Sequence, residues 1–202
     1  MCGRFALKNP SKELKAYYQT GNLIEFPASY NIAPSLPVMT IHASEHSRRM
    51  DLMRWGLVPS WAKDPAIGNK MINARAETVA TKPAFRTAFK RRRCLIRMAK
   101  DRAFAFAGLW ETWHGNDGSA LDSCTIVTTD ANDLMWPLHD RMPVILPEEN
   151  FAEWLDPKNE NVPELEALLR PYSPDEMTAF PISTLVNSPR NDCAECIARA
   201  SA

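Results

Sequence analysis

An amino-terminal cysteine can do chemistry that no internal cysteine can. An internal residue offers a thiol alone, because its nitrogen is locked in an amide. Cys2 follows the initiator Met1, and a small second residue permits removal of that methionine. The exposed Cys2 would then carry a thiol and a primary amine on adjacent carbons. With an aldehyde, the amine forms a Schiff base with loss of water, and the thiol adds to the imine carbon to close a thiazolidine ring. A free α-amine has a pKa of about 8, so a useful fraction is nucleophilic near neutrality. The competing reading is an incidental residue in a frayed terminus. Cys2 alone does not separate the two.

Its surroundings add information. In Gly3-Arg4-Phe5, Phe5 can anchor the segment and Arg4 can meet a phosphate as a fork. Four later segments are dense in polar and special residues. They are Tyr30-Asn31-Ile32-Ala33-Pro34, Arg54-Trp55-Gly56-Leu57-Val58-Pro59-Ser60-Trp61, Ile72-Asn73-Ala74-Arg75-Ala76-Glu77-Thr78 and His139-Asp140-Arg141-Met142-Pro143.

Together with Met1-Cys2-Gly3-Arg4-Phe5, these segments occur in the order typical of the SOS response-associated peptidase family, also called the abasic-site processing proteins. The resemblance runs from Cys2 to about Asn191. It implies removal of Met1 by the protein itself, then a thiazolidine crosslink between Cys2 and the ring-opened sugar aldehyde of an abasic site in single-stranded DNA. That would be a peptidase-like and lyase-type activity in the DNA damage response. Asn73 matches the asparagine beside the cysteine, whose amide can bond both the amine and the sugar oxygen. His139 matches a histidine suited to proton donation during ring opening and reversal. Arg4, Arg75 and Arg141 match phosphate-contacting arginines. Asn31, Pro34, Trp61 and Thr128 lie in segments that line the DNA path, where an apolar wedge such as Pro34 or Trp61 could part the bases.

One departure is large. In the family, Arg-Cys-Leu-Ile runs on into Pro-Ala-Asp-Gly-Phe-Tyr-Glu-Trp and a further strand, and the glutamate of that motif is catalytic. Here Arg93-Cys94-Leu95-Ile96 passes straight to Arg97-Met98-Ala99-Lys100, as if the block were deleted in frame. Glu111, in Gly108-Leu109-Trp110-Glu111, matches a different strand and does not inherit the role. Such a carboxylate contributes roughly 100- to 10,000-fold. Two rivals therefore stand beside the crosslinking reading: a DNA-binding module without efficient crosslinking, and a cysteine hydrolase using Cys2 and His139 on other polypeptides.

Composition bounds these readings. With 202 residues, 45% hydrophobic and 24% charged, the chain fits one globular domain over 1–202. Net charge is zero, yet residues 48–102 hold 15 basic and 4 acidic side chains, so a local phosphate-attracting surface is compatible with a neutral whole. No apolar run reaches membrane-spanning length and no secretory signal opens the chain. The expected setting is cytoplasmic, near damaged DNA, as a monomer with no membrane partner. Five cysteines at irregular spacing read as thiols. Cys193-x-x-Cys196 and the pair His42 and His46 are weak metal signals, the thiols reading as a solvated pair. No metal or cofactor is expected. Lys90 to Arg93 reads as a solvated helix end, and Trp110, Trp113, Trp136 and Trp154 as core or semi-buried packing.

The elements that must position these residues follow from pattern. Ser11 to Gln19 reads as a helix capped by Asn9 with Pro10 in its first turn. A second opens at Lys82-Pro83 with Phe85, Ala88 and Phe89 on one face. Pro147 to Leu155 and Pro163 to Leu169 read as short helices. Val38 to His42, Leu52 to Trp55, Ala103 to Ala107, Cys124 to Thr128 and Val144 to Leu146 read as strands. The elements do not alternate, which predicts an α+β domain, mainly an antiparallel sheet with short flanking helices, lacking one strand-containing segment after Ile96. That loss predicts unpaired backbone beside the gap. Arg199 to Ala202 read as loose.

Overall fold

The computed structural model describes residues 3–7, 12–45, 47–97 and 104–200, with the side chains of the first helix described from residue 15. Met1 and Cys2, the expected helix cap at Asn9 and Pro10, His46, the junction Met98-Ala99-Lys100 and the last two residues lie outside the described residues. In chain order the described elements are β1 (Phe5–Leu7), α1 (Lys12–Tyr18), β2 (Ser29–Ile32), β3 (Pro37–Ala43), β4 (Arg48–Trp55), β5 (Asn73–Arg75), α2 (Ala76–Val79), α3 (Arg86–Arg91), β6 (Arg93–Arg97), β7 (Ala105–His114), β8 (Ala120–Asp130), β9 (Arg141–Pro143), β10 (Ile145–Leu146), α4 (Phe151–Leu155) and α5 (Val162–Ala167).

Five of the strands close on themselves. β3 pairs antiparallel with β4 and β6, β6 with β7, and β7 with β8. A short parallel contact, Arg54↔Ser123 and Trp55↔Cys124, joins β4 to β8 and completes the ring. Closure leaves β6 no free edge. The predicted gap after Ile96 therefore has a different outcome from the one expected. β6 is paired on one flank through Thr40↔Ile96 to His42↔Cys94 and on the other through Arg93↔Leu109 to Arg97↔Ala105.

Beyond Gly108↔Ile126 the strands β7 and β8 part. The chain from Arg141 to Leu146 fills the split: β9 pairs with β8 through Thr128↔Pro143, and β10 with β7 through Ile145↔Phe106. On the other flank of β8, β5 lies parallel through Asn73↔Ile126 and Arg75↔Thr128.

Phe5 enters from β1 and touches both sides of the ring. Its ring meets Trp55 of β4 edge-on at 5.2 Å and Phe106 of β7 at 6.2 Å, strands that are not neighbours. It is buried with Trp55, Cys94, Ile96, Cys124 and Ile126. The opposite face is covered by helices. Phe89 of α3 and Phe151, Trp154 and Leu155 of α4 are buried, each contributing about 1.5–3 kcal/mol of apolar transfer. Arg93 is 3% exposed, and its guanidinium donates to the carbonyls of Phe89, Lys90, Trp154, Asp156 and Asn159. Burial lowers its pKa to about 10. It is a bolt between β6, α3 and the end of α4, not part of a solvated helix end.

The C-terminal segment is fixed to β2. Asp192 accepts from Ser29 Oγ and from the amides of Tyr30 and Asn31. Cys196 is fully buried, with its sulfur 3.9 Å from that of Cys193, so the two thiols are in contact but only one side of the pair meets solvent. Arg199 bridges to Ile182 and lies over the Phe180 ring at 4.5 Å, so it is held by the fold, contrary to the expectation of a loose tail.

Candidate functional site

Trp55 is where the amino-terminal segment, the Pro34 turn and β5 meet. Its carbonyl accepts from Ser35 N at 2.8 Å and its amide donates to Leu36 O at 3.0 Å. Its indole N–H donates to Ile72 O at 2.9 Å, one residue before Asn73. Its ring receives Phe5. Gly56 then turns the chain at φ +128°, where a Cβ would lie 2.6 Å from the carbonyl oxygen of Gly68. That close approach of two backbones requires glycine.

Across β8 the register places two rows of paired residues two positions apart. Asn73, Ile126 and Gly108 form the first, and Arg75, Thr128 and Pro143 the second. Paired residues point to the same side of a sheet, so Asn73 and Arg75 project together. Asn73 is half-buried and Arg75 exposed. Arg4, half-buried, donates to Gly3 O at 2.8 Å.

The third row is Asp130 and Arg141. The Arg141 side chain is 9% exposed, and its guanidinium bonds Glu77 Oε1 at 2.6 Å, Glu77 Oε2 at 3.0 Å, Asp130 Oδ1 at 2.7 Å and Thr128 O at 2.7 Å. Burial opposes its charge, but Glu77 and Asp130 outweigh that and hold its pKa above the ordinary value. For Glu77, burial pushes the carboxyl up, while the Arg141 hydrogen bond, its own backbone and the charges of Arg141 and Arg75 bring it below the usual range. The donor fork expected on a phosphate is thus occupied by carboxylates.

His139 precedes β9 and is exposed. Its Nδ1 lies 2.9 Å from Arg141 N–H and 2.6 Å from Asp140 Oδ1. One nitrogen cannot accept from the first and donate to the second at once. The two contacts therefore belong to different tautomers of the ring.

The structure does not bring all expected residues to one surface. Asn31 is 2% exposed and its amide donates to Val186 O, Ser188 O and Asn191 O. Thr128 is 1% exposed and its hydroxyl donates to Ala74 O at 3.4 Å. Both side chains are buried inside the fold. Pro34 is half-buried in the turn beside Trp55, whereas Trp61 is 59% exposed on a loop tied by Trp113 Nε1 to Ala62 O at 2.7 Å. Glu111 pairs with Arg92 at 2.6 Å. His42 Nε2 pairs with Asp51 at 2.8 Å, and no His, Cys, Asp and Glu cluster suited to a metal occurs among the described residues. Trp136, expected to pack, is 65% exposed. Sequence reasoning also missed Trp55 and Glu77 as positioning residues, although both lie inside the quoted segments.

Known proteins place this geometry in context. The model of the SOS response associated peptidase (SRAP) family matches residues 1–100 and 96–189, two stretches that overlap at residues 96–100. Abasic site processing protein YoqW of Bacillus subtilis is 42% identical over 221 aligned positions, covering 98% of this chain and 99% of the relative. That span exceeds the 202 residues here, so the relative carries positions with no counterpart. Abasic site processing protein HMCES of Xenopus tropicalis is 29% identical over 90% of this chain and 69% of its own. A crystal structure of a protein from Bacteroides thetaiotaomicron superposes with a TM-score of 0.86 at 24% identity, covering 99% of this chain and all of that one. On the match over nearly its whole length, this chain belongs to the SOS response associated peptidase (SRAP) family.

Proposed function

We propose that this protein binds abasic sites in single-stranded DNA and captures their aldehyde as a thiazolidine on Cys2, after Met1 has been removed. The observation that carries this reading is the path from Phe5 to Asn73. Phe5 is locked against Trp55, and the Trp55 indole bonds the peptide that precedes Asn73. Three peptide links separate Cys2 from Phe5, and a chain spans at most about 3.5 Å per residue. A chain of that length reaches at most roughly 11 Å from the Phe5 backbone. The naming of full-length relatives as abasic site processing proteins supports the substrate.

In this reaction the Cys2 amine attacks the C1′ aldehyde and water leaves as the imine forms. The thiol then adds across the C=N bond, its proton passing to the nitrogen. The sum is aldehyde plus aminothiol giving thiazolidine plus water. Asn73 holds the amine and the sugar oxygen, and His139 gives a proton to the ring oxygen O4′, which leaves C1′ as the 4′-hydroxyl. The C1′ hydroxyl meanwhile loses its proton to water and becomes the aldehyde. Arg75, exposed beside Asn73, takes a phosphate. Arg141 acts differently from the expectation: clamped by Glu77, it braces the row that carries Arg75.

Incubation with an oligonucleotide bearing one abasic site, followed by a denaturing gel and mass spectrometry of the amino-terminal peptide, tests the proposal. A Cys2-linked adduct is expected, absent in Cys2→Ala while that variant still binds DNA. Adducts formed by Cys2→Ala would refute it.

The division of the family match into two stretches that overlap at residues 96–100 favours a second reading, DNA binding without efficient crosslinking for want of the motif's glutamate. Retention of Met1 in the intact mass would support it.

A further inference from the structure

The segment joining β8 to β9 presents an exposed apolar knob. Trp136 and Leu138 are 65% and 66% exposed, the highest values among the large apolar side chains described. Pro137 lies exposed between them. Large exposed apolar groups grouped this way mark interaction sites more often than scattered ones do.

The knob is built, not frayed. Asn132 is 9% exposed, its Oδ1 accepts from Met135 N at 3.0 Å, and its Nδ2 donates to Tyr172 O at 2.7 Å. The turn is closed by Trp136 N to Asn132 O and by Leu138 N and His139 N to Met135 O, each 2.9 Å, with Ala131 N to Asp140 O at 3.0 Å across its base. Pro137 fixes its own φ. The fold thus spends six hydrogen bonds to hold an indole out in solvent, three residues before His139.

We propose that Trp136 is a stacking platform for an unpaired base next to the abasic nucleotide. This rests on the reading of the protein as a single-strand binder. Its neighbours along the chain are His139 and Arg141, and β9 pairs with the strand that also carries the Arg75 row. A strand whose sugar lies at His139 has the knob three residues away along the same turn. A flat, electron-rich indole suits a base face and brings no cationic charge to a phosphate. Stacking tolerates any base, so the platform adds affinity without sequence preference.

The test is a double-mutant cycle with the full chain at equilibrium. Wild type, Trp136→Ala and Trp136→Phe are titrated with fluorescent oligonucleotides carrying a central tetrahydrofuran abasic analogue, which has no aldehyde. In a second set the flanking nucleotides are tetrahydrofuran as well. With flanking bases present, Trp136→Ala is expected to bind about 10- to 100-fold more weakly, and Trp136→Phe to retain most of the affinity. Without flanking bases, wild type should fall to the level of Trp136→Ala. Equal binding by all three proteins, or a loss in Trp136→Ala that persists undiminished without flanking bases, overturns the platform. Failure of wild type to bind any of the oligonucleotides would instead overturn the single-strand reading on which the platform rests.

Discussion

Arg141 and Glu77, 64 positions apart, meet through two oxygens and two nitrogens, at 2.6 and 3.0 Å. The pair joins β9 to the first turn of α2, directly after Arg75. A bidentate arginine–carboxylate pair fixes orientation as well as distance, so it sets how β5 and β9 sit against β8.

Replacing Glu77 should expose that role. Glu77→Gln leaves Asp130 and the Thr128 carbonyl on Arg141, and because solvent screens the 47%-exposed Glu77 the change is expected to cost about 0.5–1 kcal/mol by urea unfolding at pH 7. The depressed Glu77 carboxyl gives the sign of the pH dependence. Its contribution is fully present above the unfolded-state value of about 4.3 and fades as pH falls through the lower folded-state value. The stability gap between wild type and Glu77→Gln should therefore narrow only below about pH 4.3. A gap that narrows between pH 7 and 5 would assign the effect to another group.

Gly56 makes a second prediction. At φ +128°, with Gly68 O 2.6 Å from any added Cβ, Gly56→Ala must move a backbone that also carries Trp55. A loss of roughly 1–3 kcal/mol is expected, with crosslinking falling more than the loss of folded protein explains. Stability within 0.5 kcal/mol of wild type would show that this approach of the two loops is not needed.

These examples show what was readable in the sequence. Helix α3 was legible because Phe85, Ala88 and Phe89 repeat at helical spacing and all three are buried. The strands β1, β2, β5 and β9 are three or four residues long, too short to show any period. They are strands only because β2, β1 and β8 pair with them. Asn73 and Arg75 were marked by the family resemblance of their segment, but the commitment of Arg141 to Glu77 depends on a contact between distant segments that no local pattern encodes. Trp136 was misplaced for the opposite reason: tryptophan is highly buried on average, and here a capped turn holds it outside.

The thiols give a third prediction. Cys94 and Cys124 are fully buried, and burial pushes both up, Cys94 further through Cys124. Neither should react with a maleimide until the protein unfolds. Cys193 is half-buried, and its hydrogen bond to Glu195, with some burial and the contact to Cys196, raises its pKa. It should label slowly at pH 7 and faster in Glu195→Gln. Mass spectrometry of labelled peptides reads this out, and labelling of Cys124 in native protein would contradict the closed ring.

Arg75 gives the last. It is exposed on β5, in register with Thr128, one residue past the strand partner of Val127. If it meets one phosphate, Arg75→Ala should weaken binding to single strands of every sequence alike. The slope of log K against log salt should then drop by about 0.7, the value for one ion released from a single strand. Arg141→Ala should behave otherwise, because Glu77 and Asp130 already neutralise that guanidinium. It should lower stability and leave the slope nearly unchanged, since no counterion is displaced by a cation that is already paired. Salt titrations of the two variants side by side separate a phosphate contact from a brace, and equal slope changes would show that Arg141 leaves Glu77 when DNA binds.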